Sequence, residues 1–212
     1  MLNNCSAHEM CKMNLNTPAP PLSGTMDVDE FMAFLETRPH GERWELIEGV
    51  AVVMAPPSYA RQRIVSNLCQ LLNSAFAARH LDLFAYFDAA VRSPGVRNFQ
   101  PQPAVVVVPG ISGYDLYSER FQLVGEVLSP TNTRQEIDLK LRRYREAQDN
   151  LYAVVIEPRQ FLVEIYAKRG NWQPAILRKS DDPIEMPEFG LSCRVADLYV
   201  GTPLDPRAAG VT

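Results

Sequence analysis

The chain has 212 residues, 46% of them hydrophobic and 22% charged, with a net charge of −4. That length and balance suit one well-filled domain rather than a disordered chain, and the acidic sum argues against a broad basic face for nonspecific nucleic-acid binding while leaving room for a local basic groove. Cys5, Cys11, Cys69 and Cys193 lack the paired spacing of a zinc site, and His8, His40 and His80 are scattered, so a His-rich metal site is not expected. No apolar run approaches membrane-spanning length, and the expectation is a reduced, cytoplasmic protein.

Residues 1–25 have no hydrophobic period and end in a Pro-rich stretch, which reads as a flexible leader. Val28, Phe31, Met32 and Leu35 then fall at helical spacing behind Asp27, a good N-cap. RWELIEGVAVVM at 43–54 alternates and reads as a hairpin turning at Glu48–Gly49. Ser58 should cap a long helix whose apolar stripe is Ile64, Leu68, Leu71, Leu72, Ala75 and Phe76. Strands are expected at 83–92, 104–108 and 121–128, a helix from about 134, and strands at 151–158 and 161–167, followed by short strands to about 200. Nothing within 26–200 divides the chain. The predicted fold is one α/β domain with a mixed central sheet flanked by helices, and 201–212 as a C-terminal tail.

Three residues carry the chemistry of interest. Glu126 ends an apolar strand, where an acid is unusual unless it is paired or binds something. Lys140 lies beside the packing stripe Ile137, Leu141 and Tyr144 of the following helix. Glu45 sits in the hairpin WELIEG. Each has an ordinary reading as well: an edge acid, a lysine laying its stem along the surface, a hairpin acid.

In their order and spacing, WELIEGVAVVMAPPS, RQRIVSNL, QPAVVVVPG, GEVLSPTN, IDLKLRRY and YAVVIEP resemble the Uma-type restriction endonucleases of the PD-(D/E)XK nuclease superfamily, over about residues 26–200. The resemblance implies a restriction-endonuclease-like fold and Mg²⁺- or Mn²⁺-dependent hydrolysis of DNA. It makes Glu126 the second acid, Lys140 the catalytic lysine moved onto a helix, Glu45 an auxiliary acid and Asp138 a further acidic position. It also implies that the Val127 backbone carbonyl is a metal ligand, with a homodimer as one mode of double-strand cutting. Two residues depart from the pattern: the first aspartate falls on Ala104, and Arg61 stands where relatives commonly have histidine.

The first departure bears directly on activity. Mg²⁺ takes hard oxygen ligands, polarises the scissile phosphate and activates the attacking water, while a lysine stabilises developing charge. A methyl group at position 104 offers no ligand, so metal binding is expected to be weakened unless Glu45 or Asp138 substitutes. The alternative is a degenerate nuclease fold that serves as a nucleic-acid or protein binding module, and a generic α/β binding protein is the reading outside the family. Arg61, Arg63, Arg92, Arg97, Arg134, Arg142 and Arg143 are the candidate phosphate contacts, against a plainer reading as a solvated helix face with an Asp138–Arg142 pair.

Overall fold

The computed structural model describes residues 25–110 and 113–208; the expected leader, apart from Thr25, lies outside them. In chain order the elements are α1 (Val28–Glu36), β1 (Trp44–Ile47), β2 (Val50–Val53), α2 (Tyr59–Ala78), β3 (Leu83–Phe87), β4 (Ala90–Val91), β5 (Val105–Pro109), β6 (Tyr117–Ser118) and β7 (Leu123–Val127). They continue with α3 (Arg134–Glu146), β8 (Tyr152–Ile156), β9 (Val163–Ala167), a 3-10 turn at Lys168–Gly170, β10 (Pro174–Leu177), β11 (Pro183–Met186), β12 (Leu191–Arg194) and α4 (Val195–Leu198).

The caps that start α1 and α2 are those read from the sequence. The Asp27 carboxylate accepts from the Asp29 and Glu30 amides, and the Glu30 side chain returns to the Asp27 amide, closing a capping box on α1. Ser58 accepts from the Arg61 amide at the head of α2, and Thr133 accepts from the Glu136 amide at the head of α3. The stretch 83–92 is not one strand. It breaks at Asp88, whose φ of 53° is left-handed, so β3 and β4 belong to different sheets.

Six strands form the central sheet in the order β10-β9-β8-β7-β5-β3. Only β7 and β8 pair in parallel, joined by α3; the other neighbours are antiparallel. Strand alternation sends side chains to two faces. Val105, Val107, Leu123, Val127, Val154 and Ile156 pack with Ile64, Leu68, Leu72 and Phe76 of α2. Val106, Val108, Val124, Ala153 and Val155 pack with Ile137, Leu141 and Tyr144 of α3. Both faces of the middle strands are therefore covered, which is why they read as unbroken valine runs. Gly125 lets α2 lie close: a Cβ there would meet Val105 Cβ at 3.3 Å and Leu68 Cδ2 at 3.5 Å.

The β1–β2 hairpin stands apart from the central sheet. It is tied to the chain entering β5 by reciprocal Leu46–Gln100 backbone hydrogen bonds of 3.0 and 2.8 Å, and by Arg143 of α3, which grips Glu48 at 2.6 and 2.9 Å. These ties carry Glu45 onto the α3 side of the sheet. No helix among the described residues is long and apolar enough to cross a membrane.

Candidate active site

Glu126 is the next-to-last residue of β7, and alternation turns it towards α3, like Val124. It is 6% exposed. The Tyr144 hydroxyl donates to its Oε1 at 2.7 Å. Lys140, one helical turn before Tyr144, is 2% exposed and donates to both Glu45 oxygens at 2.8 Å. Its Nζ also lies 3.6 Å from Glu126 and 3.8 Å from Glu136. So Lys140 does not run along the surface; it is buried among three carboxylates. The Glu45 carboxylate accepts further from the Gln102 amide at 3.3 Å.

The electrostatics follow from that burial. Burial drives the Glu126 carboxyl above the ordinary range, with the Glu45 charge adding to the rise and Lys140 and the Tyr144 hydrogen bond opposing it. Burial alone would depress the Lys140 ammonium, but Glu126 and Glu45 outweigh it and hold the group above the usual lysine value. Burial and the neighbouring Glu126 charge push the Tyr144 phenol well up. At neutral pH the lysine is charged and the phenol is not.

Ala104 directly precedes β5, one step beyond the last β5–β7 register pair, Val105↔Gly125, and its methyl packs in the α2-side cluster with Ile64 and Leu68. It is fully buried. On its other side the register runs through Phe87↔Val105 to Asp88, whose amide donates to the Ala104 carbonyl at 3.1 Å. Arg61 reaches this strand end from the first turn of α2. Its Nε donates to the Val127 carbonyl at 3.1 Å, its Nη1 lies 3.8 Å from Asp88, and the residue is 8% exposed. Arg43 meets the same Asp88 oxygen at 2.8 Å, in a charge contact too poorly aligned to be a hydrogen bond. Arg43, Arg61, Glu45, Glu126 and Lys140 line one partly open cleft.

Several expected contributors lie elsewhere. Asp138 is half exposed and pairs with Arg134 at 3.0 Å, not with Arg142; two residues before Lys140, it sits roughly 200° around the helix. Arg134 also binds Glu164 and Tyr166. Arg97 pairs with Asp27 and Asp29, Arg92 stacks on Tyr117 at 3.6 Å, Arg143 serves Glu48, and Arg63 runs beside Gly201. Sequence reasoning missed Arg43, Asp88 and the hydrogen bond from Tyr144. Arg43 left one signal, its place next to the hairpin that carries Glu45.

A divalent ion finds a poor donor set here. The side chain at position 104 supplies no oxygen, the Val127 carbonyl already accepts from the Arg61 cation, and Glu45 is held by Lys140 and Gln102. Among the described residues no group of three or more His, Cys, Asp or Glu could hold a metal. The residues present do not fit the ion.

A mixed six-stranded sheet between two helical layers, with a lysine from α3 meeting an acid at the end of β7, defines a nuclease-like α/β fold. The fold matches the crystal structure of a putative nuclease belonging to DUF820 from Anabaena variabilis, with a TM-score of 0.67 at 16% identity, covering 82% of this chain and 97% of that one. The chain belongs to the Uma2 family, described as "Putative restriction endonuclease", whose profile matches residues 28–196. No curated protein matches it.

Proposed function

We propose that this chain is a DNA-binding member of the Uma2 family in which metal-dependent phosphodiester hydrolysis has been lost, leaving a cleft that engages the nucleic-acid backbone. The observation that carries this reading is the meeting of Glu126, Lys140 and Glu45 at one strand end, where the neighbouring strand is entered through Ala104 rather than through an acid. Family membership supports the substrate class. Restriction-endonuclease-like enzymes generally use divalent ions, and hydrolysis by that route needs a polarised phosphate and an activated water. The second acid beside Glu126 here is Glu45, which Lys140 already holds, and the side chain at position 104 adds none.

The remaining side chains can still bind and orient. Lys140 fixes the Glu45 and Glu126 carboxylates, and Tyr144 keeps Glu126 from turning away. Arg43 and Arg61 give the cleft wall a positive edge for a phosphate oxygen. Bond cleavage would need an attacking water to lose its proton, and the Glu45 and Glu126 carboxylates that could take it are already engaged by Lys140 and Tyr144.

The test is plasmid relaxation. Supercoiled DNA incubated with the chain and either Mg²⁺ or Mn²⁺ should stay intact, while a short labelled duplex gains fluorescence anisotropy in low salt. Nicking by the parent chain that disappears in Glu126→Gln would overturn the reading.

A further inference from the structure

Arg61 makes contacts in this cleft that the loss of an aspartate alone does not explain. A surface arginine at a helix start would extend into water. This one is folded inward, nine-tenths buried, with its Nε on the Val127 carbonyl and its Nη1 towards Asp88. That carbonyl belongs to the residue after Glu126, at the strand end beside Ala104. A cation is therefore already seated on the Val127 carbonyl, one of the oxygens that a divalent ion would need.

We infer that the Arg61 guanidinium is the resident cation of this cleft, standing on the ground of a divalent ion and meeting a phosphate oxygen without metal. The inference rests on the reading that this is the family's nuclease cleft. Its logic is charge balance at one strand end. Ala104 removes a negative charge, Arg61 adds a fixed positive one, and Asp88, one strand over and in register with Ala104, answers it together with Arg43. A guanidinium has five N–H donors in a planar fork. The 3.1 Å bond to Val127 uses Nε, and the remaining donors suit a phosphate.

One consequence separates this from a simple missing ligand. If the vacant acid were the whole defect, Ala104→Asp alone would rebuild a metal site. With Arg61 in place, the new carboxylate pairs with the guanidinium instead, and the Val127 carbonyl stays occupied. Both positions must change.

The experiment is calorimetric titration of Mn²⁺ into the full chain and into Ala104→Asp, Arg61→His and Ala104→Asp/Arg61→His variants. The double variant should bind Mn²⁺ at least about tenfold more tightly than Ala104→Asp, with no binding by the parent or by Arg61→His. Should the double variant fail to fold by circular dichroism, Arg61→Met with Ala104→Asp takes its place, since Met keeps an apolar stem of similar length and frees the Val127 carbonyl. Equal binding by Ala104→Asp and the double variant overturns the inference, as does failure of the folded double variant to bind. So does Mn²⁺ binding by the parent that Glu126→Gln removes. Equal binding by those two variants would leave the proposed function standing, whereas DNA nicking by the parent would remove that function whichever variant binds metal.

Discussion

Replacing Lys140 with methionine tests the buried charge cluster with little change in side-chain volume. The lysine is 2% exposed and makes two 2.8 Å bonds to Glu45, with Glu126 at 3.6 Å. Without it, carboxylates that are only 3% and 6% exposed lose their common cation. Removing one partner of a buried ion pair costs about 3–5 kcal/mol, because the other partner is left uncompensated. For a chain of this size each kcal/mol moves the melting temperature by about 2–4 °C, so the loss should be roughly 6–20 °C near neutral pH.

The sign of the pH dependence is fixed by the same geometry. Burial already holds Glu126 above its ordinary 4.5, and losing Lys140 raises it further. Stability from a raised carboxyl is fully present below the unfolded value and lost as pH rises through the folded one. The deficit of Lys140→Met should therefore be largest near neutrality and shrink towards pH 5. Thermal and urea melts followed by circular dichroism read both quantities. A variant within about 1 kcal/mol of the parent at pH 7, with a flat pH dependence, would refute the idea that the cluster is buried and charged.

Tyr144→Phe removes the 2.7 Å donor to Glu126 and should cost about 1–3 kcal/mol in urea melts, since a buried acceptor loses its partner. Glu126→Gln keeps an acceptor for Tyr144 but cannot ionise; its stability should lack the decline that the parent shows as pH rises from about 4.5 through the raised Glu126 value, measured by melts from pH 4 to 8. In plasmid assays with Mn²⁺, Ala104→Asp alone should nick far less than Ala104→Asp/Arg61→His, with a gap of about tenfold or more, because Arg61 still holds the Val127 carbonyl.

Much of this site could be read from residue order because its parts lie on regular elements. The period of α3 put Lys140 beside Ile137, Leu141 and Tyr144, and the strand pattern put Glu126 at the end of β7. Hairpin alternation flagged Glu45, although its meeting with Lys140 depends on the long-range tie between Leu46 and Gln100. The partners of the arginines were not legible in the sequence for a physical reason. A guanidinium on a long stem reaches whichever carboxylate tertiary packing brings near, so proximity in sequence says little about its partner. Arg97 finds Asp27 and Asp29 across the fold, while Arg43 reaches Asp88. The break at Asp88 was hidden because a left-handed residue inside an apolar run carries no periodic signal.

The most direct measurement is a crystal of the parent chain soaked in Mn²⁺, with anomalous difference density calculated around Val127 and Glu126. The account predicts no manganese peak there, with the Arg61 guanidinium seated on the Val127 carbonyl, and a peak in crystals of Ala104→Asp/Arg61→His. A manganese peak bound by Glu126 and Val127 in the parent, with Arg61 swung out to solvent, would contradict it.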